Sequence, residues 1–132
     1  MSWLEDLVTR IKAGAPGAGA RVAWYERGRS WKAQPSVLIN LDDDGRLYTH
    51  DGANGLQQPE IEVDIFGASG SAVETLAAAV RAVFETDGEI AGATKFGFGT
   101  VRAGRTIGPE DLPDGTRAFR RRMLVRFSVQ AA

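Results

Sequence analysis

The chain contains no cysteine, which removes disulfides, thiolate nucleophiles and cysteine-based zinc sites from consideration. It holds a single histidine, His50. One copy therefore cannot build a metal site from several imidazoles, and any Ser-His-Asp arrangement would have to run through that residue. No stretch approaches the roughly 20 consecutive apolar residues of a membrane-spanning helix. The start, Met1-Ser2-Trp3-Leu4-Glu5-Asp6, lacks the positive charge and apolar run of a signal peptide, so folding in the cytoplasm and no membrane partner are expected. An excess of charge is missing as well: 16 Lys and Arg face 17 Asp and Glu, a formal net charge of -1. A dedicated nucleic-acid binder usually shows a basic excess. A locally basic surface remains compatible with this balance.

What is present fits one domain spanning residues 1–132, long enough to bury roughly two-thirds of its unfolded surface without a staple. Residues 2–13 read as an amphipathic helix, with Leu4, Leu7, Val8 and Ile11 at helical spacing beside Trp3. Ser2 and Glu5 stand at capping-box spacing, and Asp6 and Arg10 form an i,i+4 pair on the polar side. Gly14–Gly19 is a connector of Gly, Ala and Pro. Strands are expected over 21–27 and 36–41, with a hairpin turn at Asp42-Asp43-Asp44-Gly45, a return strand over 46–50 and a second turn over 51–55.

Residues 60–66 alternate at period two, with Glu60, Glu62 and Asp64 on one face and Ile61, Val63 and Ile65 on the other. Residues 71–86 form the clearest helix, striped by Val73, Leu76, Ala77, Val80, Val83 and Phe84 and opened by Ser71 and Glu74 at capping spacing. A strand weakened by Gly97 and Gly99 follows over 93–103, then a polar loop over Gly104–Gly115. The last strand, 117–129, turns Phe119, Met123, Val125, Phe127 and Val129 one way and Arg120, Arg122, Arg126 and Ser128 the other. The order predicts an α+β domain: a single, mostly antiparallel β-sheet with two helices packed on one face.

The polar faces of strands 60–66 and 117–129 carry opposite charge. Were they neighbours, Glu60, Glu62 and Asp64 could pair with Arg120, Arg122 and Arg126, fixing register more than adding stability. The other readings are two solvated faces that never meet, or a face turned to a neighbouring subunit.

Candidate chemistry is sparse. Asn40, Asp42, Asp44 and Asp51, with Gly45, fall at calcium-loop spacing, but strands rather than helices flank them, so a polar hairpin turn is the better reading. Gly97-Phe98-Gly99 lacks the helix that a phosphate-binding loop opens, which favours a bulged strand beside a crowded contact. Arg117, Arg120, Arg121, Arg122 and Arg126 could meet phosphates, yet strand alternation splits them between two faces. Trp24, Tyr25 and Trp31 suit a core or a subunit contact. No cofactor and no catalytic pairing is indicated.

One segment carries a family likeness. Arg46 to Leu56 as a turn segment, the strand Glu60-Ile61-Glu62-Val63-Asp64-Ile65-Phe66-Gly67, helix 71–86 with Leu76-Ala77-Ala78-Ala79-Val80-Arg81, and the end Leu124-Val125-Arg126-Phe127-Ser128-Val129 together resemble the tail terminator group, the tail-completion proteins of long-tailed phages and gene transfer agents. The resemblance covers most of the chain after about residue 20 and implies a virion protein without catalysis. In that group copies close a hexameric ring, which caps the tail tube, joins it to the head connector and lets DNA pass. It makes Glu60, Glu62, Asp64, Arg120, Arg122, Arg126 and Trp31 candidate subunit contacts, and Arg102 and Arg105 candidates for facing passing DNA. The loop Gly104–Gly115 departs from the family pattern. A head-tail connector or minor tail protein, or a small nucleic-acid or ligand-binding domain, is the alternative.

Overall fold

The computed structural model describes residues 3–28, 31–49, 52–112 and 115–132, without the side chains of 46–49, 52–55, 103 and 105–107. The first-turn cap expected at Ser2 lies outside the described residues. Helix α1 spans Trp3–Gly14 and helix α2 spans Gly70–Phe84. Ten strands follow the order β1 Val22–Trp24, β2 Ser36–Asp43, β3 Arg46–Thr49, β4 Gly52–Gln57, β5 Glu60–Gly67, then after α2, β6 Glu89–Ala91, β7 Thr94–Phe96, β8 Thr100–Asp111, β9 Arg117–Arg126 and β10 Val129–Ala131.

These strands build two sheets, ordered β1-β2-β5-β9-β8 and β3-β4-β10-β7-β6, so the expectation of a single sheet is corrected. The larger sheet is mixed: β1 runs parallel to β2, while β2, β5, β9 and β8 pair antiparallel in turn. The division arises inside the segment that reads as one last strand. At Phe127 and Ser128 the chain leaves the first sheet, and β10 joins the second. Phe127 donates its N–H to Pro59 O at 3.3 Å, and Gly97 donates to Ser128 O at 2.9 Å. Gly97 tolerates that approach because it has no side chain; a Cβ there would run into Ser128 Oγ.

The core follows the period-two pattern of the central strands. Val37 stands opposite Ile65 and Ile39 opposite Val63, while Ile61 and Val63 stand opposite Val125 and Met123 on the other side of β5. All seven are buried, together with Val73, Leu76, Ala77, Val80, Val83 and Phe84 of α2 and Leu7 and Ile11 of α1. Burying a side chain of this size stabilises the fold by roughly 1.5–3 kcal/mol each, before chain entropy is counted. The α2 helix is capped by Ser69, whose Oγ accepts from Ala72 N at 3.1 Å, rather than by Ser71.

Three further elements differ from expectation. The region 51–55 is mostly strand β4, and its Asp51 is outside the described residues. The segment Gly104–Gly115 is mainly strand: β8 runs on to Asp111 as the outer neighbour of β9, with register shifts between Ala103 and Thr106 and between Ile107 and Glu110. Those shifts absorb the glycines and the proline that look like loop in sequence, as bulges on an edge strand do. The connector Gly14–Gly19 holds a short 3-10 turn, and its Ala15 and Ala18 are buried in the core rather than free.

Candidate interaction face

The outward face of the first sheet collects most of the charged residues picked out by pattern. The β5–β9 register sets Glu60 opposite Arg126, Glu62 opposite Leu124, Asp64 opposite Arg122 and Phe66 opposite Arg120. Arg122 Nε donates to Asp64 Oδ1 at 3.0 Å and forms an ion pair with Glu62 Oε1 at 2.8 Å, and its Nη2 reaches Asp64 Oδ2 at 3.4 Å. Asp64 is only 2% exposed although it belongs to the outward row. Its hydrogen bond is the main reason the Arg122 guanidinium is held above the ordinary arginine range, with Glu62 and Glu110 adding to it against a desolvation cost. The two strands are therefore neighbours and their charges meet.

The ladder extends beyond the residues expected. Arg126 Nη2 and Arg102 Nη2 both reach Glu60, at 2.8 and 3.2 Å. Arg120 pairs across strands with Glu110 of β8 at 3.1 Å, inside the segment expected to be a loop. Arg27 stacks over the Phe66 ring at 4.1 Å and donates to Ser36 Oγ and to Lys32 O. Burial pushes its guanidinium pKa down. Arg27 thus ties the loop between β1 and β2 to the end of the ladder. Trp31, in the same loop, sits half-buried with its indole over Gly28, so the loop reaches the ladder through its arginine. The side chain of Arg105 lies outside the described residues, as does His50.

The remaining arginines of the 117–126 run separate as strand geometry requires. Arg121 stands opposite Ile65 on the helix side and reaches Glu74 of α2 at 2.7 Å. Arg117 pairs with Asp111 at 3.1 Å at the exposed end of the β8–β9 hairpin. The acidic turn after β2 closes on itself, with Gly45 N donating to Asp43 Oδ1 at 2.9 Å. Among the described residues no group of three or more His, Asp or Glu is arranged to hold a metal ion, and no helix is long and apolar enough to cross a membrane.

Asp6 and Arg10 are placed on the polar side of α1 by their spacing, and the structure corrects this: both are buried. Asp6 Oδ2 accepts from Thr94 Oγ1 at 2.6 Å. Arg10 donates to Val83 O, to Thr86 O at 2.8 Å and to Glu89 at 3.3 Å, and its guanidinium lies 4.9 Å from the Phe96 ring centre. Desolvation pulls the Arg10 pKa down, against the pull of Glu89. Its charge meets the carbonyl end of α2, where a cation is favourable. The available signal was positional, since Asp6 and Arg10 flank Leu7 and Ile11 on the wheel. A second sheet against that flank turns a polar edge into a buried seam.

Among the described residues the first sheet ends in two edge strands of different character, three-residue β1 and twelve-residue β8. Tyr25, Ile90 and Phe98 are exposed large apolar side chains outside the ladder.

No family model matches the chain. No curated protein matches it either. Solved structures do resemble it, among them the following two. One, described as the virion of a native gene transfer agent particle, is 15% identical, covers 95% of this chain and 90% of its own, and has a TM-score of 0.48. The other, named only by a sequence code, is 14% identical, covers 98% of this chain and 90% of its own, and has a TM-score of 0.53. At such identity the second likeness shows a shared fold and nothing about activity.

Proposed function

We propose that the chain is a structural virion subunit, not an enzyme, that closes a ring at the end of a phage-type tail. In this reading copies of the chain cap the tail tube and meet the head connector, with DNA passing through the ring, and assembly takes place in the host cytoplasm. The observation that carries the proposal is the pair of unlike edge strands that bound one sheet among the described residues, β1 at one side and β8 at the other. A ring needs a head-to-tail interface whose two sides differ and complement each other. An exposed strand edge supplies directional main-chain donors and acceptors for such a contact. The ladder adds a rigid charged face between those edges, suited to choosing a partner and fixing its register.

The likeness of residues 46–84 and of the chain's end to tail terminators supports the same reading; in this chain residues 46–84 form the β3–β4 hairpin, β5 and α2, with β9 beside β5. Electron microscopy of the purified protein mixed with tail tubes tests it. Rings, free or seated at one end of the tubes, are expected; bare tube ends with only small particles in the background would contradict it.

A further inference from the structure

Two arginines with separate roles by sequence, Arg126 as a subunit contact and Arg102 as a residue facing DNA, share one cleft. Arg102 lies opposite Leu124 across the β8–β9 pair, and Arg126 lies two residues further on, opposite Thr100. Both guanidiniums converge on the carboxylate of Glu60, from 3.2 and 2.8 Å. The cleft holds about 390 Å³ and is lined by Glu60, Thr100, Arg102, Leu124, Val125 and Arg126. Glu60 is the anchored member, its side chain 17% exposed, whereas the arginine side chains are 69% and 68% exposed. Among the described residues each guanidinium spends one nitrogen on Glu60, and its other donors remain for the cleft and solvent. One carboxylate against two guanidiniums leaves one positive charge in excess, held on strands rather than on a loop.

We propose that this cleft binds a single carboxylate presented by an Asp or Glu side chain of a protein partner, clamped between Arg102 and Arg126 with Glu60 aiming both forks. Paired arginines are the usual means of gripping an oxyanion. The rest of the face decides for a lone carboxylate over a nucleic-acid backbone. Glu62 and Asp64 follow Glu60 along the same outward row of β5, and both already engage Arg122, so a polyanion laid along the ladder meets carboxylates and a guanidinium that is already paired. Leu124 of β9, opposite Arg102 and two residues before Arg126, gives the cleft an apolar patch for the methylenes of an Asp or Glu side chain.

The site is stated for one copy of the chain and does not depend on ring closure, so the two ideas fail separately. The test is saturation-transfer NMR observed on a short peptide bearing one Asp among uncharged residues, with a short DNA duplex titrated in parallel, both at 0.15 M salt (about physiological). Saturable peptide binding in the low millimolar range is expected, weakened about tenfold or more by Arg102→Gln, which loses one charge-assisted contact. A second variant, Thr100→Glu, places a carboxylate in the cleft while leaving both arginines, and is expected to abolish binding. Peptide that does not bind below about 10 mM, or that binds both variants like the parent, overturns the site. Duplex binding tighter than peptide overturns the choice of partner and assigns the cleft to phosphate.

Discussion

Replacing Asp64 by alanine removes the only nearly inaccessible carboxylate of the ladder, and its cost follows from the geometry. Asp64 accepts two bonds from Arg122, at 3.0 and 3.4 Å, on a side chain that is 3% exposed. A hydrogen bond to a charged group contributes about 1.5–3 kcal/mol, and breaking a fully buried pair costs about 3–5 kcal/mol. Arg122 is 41% exposed and retains Glu62 at 2.8 Å, so solvent and the second carboxylate recover part of the loss. The net expectation is about 2 kcal/mol, which for a domain of this length lowers Tm by about 7 °C. Glu62→Ala, which removes a more exposed partner of the same guanidinium, is expected to cost under about 1 kcal/mol. Urea denaturation of both variants and of the Asp64–Arg122 double-mutant cycle measures the difference. An Asp64→Ala cost no larger than that of Glu62→Ala would refute the reasoning that register and burial concentrate the ladder's energy at one pair.

Other expectations follow from single contacts. Arg10→Met leaves the Val83 and Thr86 carbonyls without their guanidinium and is expected to cost about 2–3 kcal/mol in urea denaturation. Thr94→Val strands the buried Asp6 carboxylate and is expected to cost about 1–3 kcal/mol, with earlier hydrogen exchange in the β6–β7 hairpin. Gly104→Ala forces a Cβ onto the backbone carbonyl of Arg122 and is expected to destabilise by more than about 1 kcal/mol. Gly70→Ala, at an open position in the first turn of α2 with nothing within 4 Å, is expected to be neutral or to stabilise by up to about 1 kcal/mol.

The parts of the fold legible from sequence were those where one period dominates. In residues 60–66 the alternation sorts the charged row from Ile61, Val63 and Ile65, all buried. In 71–86 the 3.6-residue stripe does the same for α2, displaced at its start by one cap, because Ser69 rather than Ser71 receives the Ala72 N–H. Legibility failed where long-range pairing overrides local pattern. Alternation runs unbroken through Phe127 and Ser128, yet Pro59 and Gly97 draw those two residues out of the first sheet, and nothing in a period-two pattern marks the exchange. The segment after Gly104 has the composition of a loop and becomes strand because β9 offers it a complete edge, with bulges taking up the residues that fit badly. Of the ladder, the six charged positions on β5 and β9 were visible as opposed faces. Their meeting, and the recruitment of Arg27, Arg102 and Glu110, required the strand order.

The central functional claim, that copies of this chain assemble through unlike edges of one sheet, is tested most directly by solution mass. Light scattering on the purified protein, alone and with tail-tube subunits, is predicted to show a closed oligomer of defined size, either unaided or once the tube protein is added. A mass that stays at one chain, 14.2 kDa, with and without tube protein across concentration and salt, would contradict it.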